Sequence, residues 1–137
     1  MSNDMRKIIN QFKEKSQLVE STDPKEKSIE YNTSVISKPQ ASANEMKLGD
    51  QLFNQGKYYE AYKQYKAAQS KEPNYFWAYF NAAASAYNAR TRQSLQLVHP
   101  EVQQAKNILS NWQGNIKEKS AATIRLQTLI RGIDATT

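Results

Sequence analysis

Apolar positions recur along this chain at the spacing of a helix face. In residues 4–20, Met5, Ile8, Ile9 and Phe12 follow the i, i+3, i+4, i+7 rule among charged neighbours, which predicts an amphipathic helix. Residues 21–41 break the pattern: Ser21-Thr22-Asp23-Pro24 and Ser37-Lys38-Pro39 are turn chemistry, with few large apolar residues between them. This stretch reads as a flexible linker. Order is expected to begin at Ser42. Ser42-Ala43-Asn44-Glu45 has capping-box spacing, so a helix is predicted over 43–55, with Gly56 in the left-handed position after its end. A second helix is predicted over 58–71, its face made of Tyr58, Ala61, Tyr62, Tyr65 and Ala68. Pro73 forbids continuation, and Asn74 can cap a third helix over 75–90.

Leu48-Gly49, Gly56, Tyr58, Ala61, Tyr65, Ala68 and Pro73-Asn74 stand at spacings that resemble the tetratricopeptide repeat, a 34-residue helix–turn–helix unit. The resemblance covers 42–75. Shifting by the repeat length brings Ala82-Ala83 under Leu48-Gly49 and Asn88 under Asn54, so 76–89 resembles the first helix of a second repeat. The match then departs: Leu95 stands one repeat after Ala61, and His99 one repeat after Tyr65. Arg90-Thr91-Arg92-Gln93-Ser94 reads as an enlarged turn. A displaced helix is then expected to start at His99-Pro100-Glu101, with proline at its first position and Val102, Ala105, Ile108, Leu109 and Trp112 on its apolar face. That amounts to an insertion of roughly ten residues. Gln113-Gly114-Asn115 separates it from a last helix over 116–131. Ile116, Ile124, Leu126, Leu129, Ile130 and Ile133 supply its apolar side, and Gly132 its end.

The resemblance implies an all-α, short helical-hairpin stack over 42–137 with a C-terminal capping helix, preceded by a flexible N-terminal arm made of segment 1–20 and linker 21–41. About three repeats are usually needed for independent stability. With one clear repeat and one divergent one, the last helix must seal the core, or a second copy of the chain must. The resemblance also implies a concave groove lined by the first helix of each pair. Carried over by position, the groove takes Ala43, Met46, Lys47, Asp50, Phe53 and Asn54 from the first repeat. From the second it takes Trp77, Phe80, Asn81, Ala84, Tyr87 and Asn88. Asparagines both donate and accept, so they suit a peptide backbone of any sequence. The aromatics could take apolar side chains, or Phe53 and Tyr87 could pack inside the stack. A family subset that grips chaperone-tail carboxylates needs Lys and Asn in the first repeat and Asn in the second. Here those positions hold Met46, Asp50 and Asn81, and a buried-leaning Asp50 would repel a carboxylate. No such clamp is expected.

Composition narrows the chemistry. The 137 residues hold no cysteine and one histidine, which excludes disulfides, thiol catalysis and multi-histidine metal sites. No Gly-rich phosphate loop, zinc-protease motif or nucleophile elbow occurs, so neither a catalytic residue nor a metal or cofactor is expected. Apolar residues are 39% of the chain, below the ~45–50% of ordinary domains, so part of it lies outside a core. The net charge is +6, and residues 90–137 carry seven basic against three acidic side chains. Arg90, Arg92, Lys117, Lys119, Arg125 and Arg131 form a candidate basic surface. Nucleic-acid association is an alternative, but the excess is small and no nucleic-acid motif accompanies it, so a solvated face is the expectation. No run approaches the ~18 apolar residues of a membrane span, and the start is not of signal-peptide type, so the chain is expected to be cytoplasmic.

The functional expectation is a non-enzymatic protein–protein interaction module: an adaptor, assembly factor or small chaperone holding a peptide or helix in the groove. The alternatives are a structural subunit of a larger assembly, which includes a homodimer, and a basic helical protein associating with nucleic acid. Segment 1–20 could fold on a partner, dock in the groove, lie on a membrane or stay unfolded.

Overall fold

The computed structural model describes residues 36–135, and the expectations for 1–20 and for 21–35 lie outside that range. The described chain is all-α, with five helices and no strand. They are α1 (Ala43–Asn54), α2 (Tyr58–Lys71), α3 (Phe76–Ala89), α4 (Arg92–Ser110) and α5 (Ile116–Ala135). Two compact units divide them: Lys38–Trp112, which holds α1 to α4, and residues 36–37 with 113–135, which hold α5. Each unit is described by itself.

In the first unit each helix packs against the next in sequence. Helix α1 buries Met46, Gly49 and Phe53, one stripe of its surface. It ends by a Schellman turn: Lys57 N–H reaches the Leu52 carbonyl at 2.9 Å and Gly56 N–H the Phe53 carbonyl at 3.0 Å, with Gly56 at φ +79°. Only glycine takes that backbone without strain. Helix α2 answers with Ala61, Tyr62, Tyr65 and Ala68. The two helices meet at Gly49, where an added Cβ would stand 2.6 Å from the Tyr65 ring. The ring lies across the glycine, and its phenol donates to Asp50 Oδ1 at 2.5 Å. Phe53 and Tyr58 close the turn end edge to face at 5.1 Å.

The expected capping box at Ser42 does not form. Ser42 has φ −104° and ψ 16°, outside the extended conformation of a capping residue, and its hydroxyl donates instead to Glu72 Oε1 at 2.7 Å. The same oxygen accepts from the amides of Ser42 and Gln40 at 3.1 and 3.0 Å, so the chain entering α1 is tied to the end of α2. Glu45 pairs with Lys71 at the end of α2. Asn74 does not cap α3 either. Tyr75 holds that position in extended conformation, its N–H bonded to the Glu72 carbonyl, and Tyr79 Oη bonds back to the Pro73 carbonyl at 2.7 Å.

Helix α3 is buried on nearly every side, and Ala78, Ala82, Ala83, Ala84 and Ala86 have no exposed surface. Its aromatic end packs Phe76 against Trp77, Phe80 and Trp112, with ring centroids 4.7 to 6.2 Å apart. The enlarged turn, the inserted residues and the helix start at His99 are all corrected. Arg90 takes the left-handed conformation at φ +60°. Thr91 then caps α4 by a true capping box, its Oγ1 accepting from Ser94 N–H at 2.9 Å while Ser94 Oγ accepts from Thr91 N–H at 3.0 Å. Helix α4 runs from Arg92 straight through Pro100, which removes one hydrogen bond to the Gln96 carbonyl and sits, like His99, on the exposed side. The left-handed residues Gly56 and Arg90 are therefore 34 residues apart, as are the first residues of α2 and α4, Tyr58 and Arg92.

In the second unit, Asn115 Oδ1 accepts the amides of Lys117 and Glu118 at 2.7 and 3.1 Å and starts α5. Ser37 donates to Glu118 Oε2 through both its amide and its hydroxyl, at 2.9 and 2.8 Å. The buried stripe is Glu118, Ala121, Ala122, Leu126 and Leu129. Ile116 and Ile124 were expected on it but are 73% and 52% exposed: they lie off the stripe that Ala121 and Ala122 define. Gly132 does not end the helix, which continues to Ala135.

Candidate interaction surface

The groove positions divide between two environments. On α1, Lys47, Asp50 and Asn54 are exposed, together with Ala43 and Asn44. They share one face because residues three, four and seven apart on a helix do. Met46 and Phe53 face the other way into the core. Asp50 is exposed rather than buried-leaning, yet one of its oxygens is engaged by the Tyr65 phenol. Burial, then the Asp50 charge, raises that phenol far above its usual range.

On α3 the picture is reversed. Trp77, Phe80, Tyr87 and Asn88 are each under 5% exposed and Ala84 is fully covered. These five do not line an open surface in this structure. Trp77 and Phe80 stand edge to face at 5.6 Å, and Asn88 uses its amide on the Ala84 carbonyl one turn back at 2.9 Å. Asn81, one repeat length after Lys47, is the member of the α3 set that stays part-exposed. The reachable polar set is thus Lys47, Asp50, Asn54 and Asn81.

The basic residues fall into two groups. Arg90 lays its guanidinium over the Tyr87 ring at 4.6 Å, and Arg92 is exposed beside it in the first unit. Lys117 and Arg131 are exposed on α5, Lys119 is half-buried, and burial lowers the Arg125 guanidinium below its ordinary value. Among the described residues no group of acidic, histidine or cysteine side chains could hold a metal ion. No described helix is long and apolar enough to cross a membrane.

A polar cluster that sequence reasoning missed lies between α2, α3 and α4. Glu101 is 4% exposed. Its Oε2 accepts from Lys66 Nζ at 2.7 Å and its Oε1 from Gln69 Nε2 at 2.7 Å. Gln69 is buried as well, and its Nε2 also reaches the Ala78 carbonyl of α3 at 3.3 Å. Tyr62 and Tyr79 border the carboxylate. Burial first, then the Glu101 charge, pushes the Tyr62 phenol up to about 12 and raises that of Tyr79. The available signal was Gln69 on an otherwise apolar α2 face, eight residues after Ala61. The expected helix start at His99-Pro100-Glu101 obscures it, because it leaves Glu101 at a solvated helix start.

No protein-family model, no curated protein and no solved structure matches this chain.

Proposed function

We propose that the unit Lys38–Trp112 is a non-catalytic protein-interaction module, resembling a pair of tetratricopeptide repeats, that holds an extended peptide or a helix along the α1 side of the stack. The observation that carries this reading is the 34-residue recurrence of a left-handed turn followed by a helix, at Gly56–Tyr58 and at Arg90–Arg92. The close approach of α1 and α2 over Gly49 supports it, because hairpins nested through small residues stack into a curved sheet of helices. Lys47, Asp50, Asn54 and Asn81 would meet the partner first, reading backbone amides and carbonyls. The buried Trp77, Phe80, Ala84, Tyr87 and Asn88 then act by shaping the stack.

Photo-crosslinking tests this. A benzophenone amino acid placed at Lys47 or Asn81 should give the same crosslinked partner band, and one at Lys106, exposed on α4, should not. Equal yields at all three positions, or none at Lys47 and Asn81, would overturn the reading.

A second reading, a permanent subunit of a larger assembly, draws on the large apolar side chains left outside. Ile116 is 73% exposed, Ile124 52%, Tyr59 48%, Leu95 44% and Leu48 42%. In that case the purified chain would oligomerise, or would need a partner to stay in solution.

A further inference from the structure

Four features of this structure are left over once the interaction reading is made: the sealed carboxylate of Glu101, the lysine on it, the glutamine that touches two helices, and the unequal access to them. Glu101 has 5% of its side chain exposed and Lys66 has 44%. Among the described residues Lys66 is the cation on that carboxylate. Gln69 supplies a second bond, and through the Ala78 carbonyl it joins α3 to the cluster. Tyr62 and Tyr79 complete the surroundings without adding positive charge. The cluster thereby ties the first hairpin (α1 and α2) to the second (α3 and α4).

We infer that Lys66, Gln69 and Glu101 form a charge latch between the two hairpins, and that Lys66 is the handle by which it is opened. A buried ion pair behaves asymmetrically. The intact pair adds little to stability, but removing one partner strands the other charge in a low-dielectric site. Solvent cannot reach Glu101 to compensate, whereas a modifying agent can reach Lys66. The chemistry that works the handle is acyl transfer from a thioester. Lys66 Nζ leaves Glu101 and gives up a proton, then attacks the thioester carbonyl carbon. An N–C bond forms, the C–S bond breaks, and the thiolate leaves and takes up a proton. The amide that results carries no charge, so Glu101 is left with neutral donors, the Gln69 amide and the Tyr62 phenol, and α4 loosens from α2. This inference does not depend on the identity of any partner.

Hydrogen exchange on the full chain tests the latch, with acetyl-lysine installed genetically at Lys66 or, as control, at Lys63. Lys63 is exposed one turn earlier on the same helix, over the Tyr59 ring. Acetylation at Lys66 should speed exchange of the α4 amides around Val98–Ala105 by about tenfold or more, after allowance for the lysine's exposure. Acetylation at Lys63 should leave them unchanged. Glu101→Gln, which removes the stranded charge at nearly constant shape, should restore slow exchange in the Lys66-acetylated chain, and Lys66→Arg should keep it. Unchanged α4 exchange on Lys66 acetylation, equal acceleration from Lys63, or no recovery with Glu101→Gln would overturn the inference. Should Lys66 acetylation unfold the chain altogether, the Glu101→Gln rescue still decides.

Discussion

Gly49 and Gly56 use the same missing side chain for different purposes. At Gly49 the space is taken by Tyr65, whose ring is pinned at its far end by Asp50. Gly49→Ala should therefore cost about 1–3 kcal/mol of unfolding free energy in a denaturant titration, because the ring cannot retreat. At Gly56 nothing stands near an added Cβ, and the penalty is conformational only. Gly56→Ala should cost about 1 kcal/mol by the same titration. If Gly56→Ala were the more damaging of the two, the packing account of α1 on α2 would be wrong. The glycine positions were legible in the sequence because both follow from elementary rules of turn and contact. Arg90 was not, since it fills with a cationic side chain the left-handed position that Gly56 fills without one. The stacking of its guanidinium on Tyr87 offsets part of the strain. That one residue hid the start of α4 and turned a two-residue connection into an apparent insertion.

At the scale of the helices, α4 holds the lesson. Proline was read as a helix start, where it is most at home, yet here it lies inside α4 at an exposed position. Pro100→Ala should raise stability by about 2–3 kcal/mol, read as a rise in the denaturant midpoint, since it restores the bond to the Gln96 carbonyl and removes a ring clash. A loss of stability would mean that a break at Pro100 is needed. The caps behaved less predictably than the helices. Ser42 and Glu45 both left the expected capping box for partners on α2, because tertiary hydrogen bonds to Glu72 and from Lys71 were within reach. The three raised phenols of α2 and α3 give the helices a pH limit. A phenol held above its ordinary value binds its proton more tightly in the fold than in the unfolded chain. The stability from Tyr62 is therefore whole below about pH 10 and lost as pH rises through about 12, with Tyr65 and Tyr79 acting in the same direction. Phenolate absorbance should rise together with loss of helical circular dichroism. Full titration near pH 10 with the helices intact would contradict the burial of these rings.

For the molecule as a whole, the pattern of apolar positions sufficed for an all-α chain, and the boundaries of α1, α2 and α3 fell within about a residue of their expected places. The interaction surface was less legible. Groove positions carried over by repeat register alone put Trp77, Phe80, Ala84, Tyr87 and Asn88 beside Lys47, Asp50 and Asn54, whereas burial separates the two sets. Register says which side of a helix a residue occupies, but not what else covers that side. The Glu101 cluster was invisible for a related reason: its members come from helices whose mutual register depends on where α4 begins.

The central claim is therefore the second hairpin, since the recurrence, the latch and the interaction reading all rest on it. Backbone carbon chemical shifts across residues 88–112, measured by nuclear magnetic resonance on the intact chain, test it directly. The account predicts a left-handed signature at Arg90 followed by unbroken helical shifts from Arg92 to Ser110. Irregular shifts over 90–98, with a helix beginning only at Pro100, would contradict it.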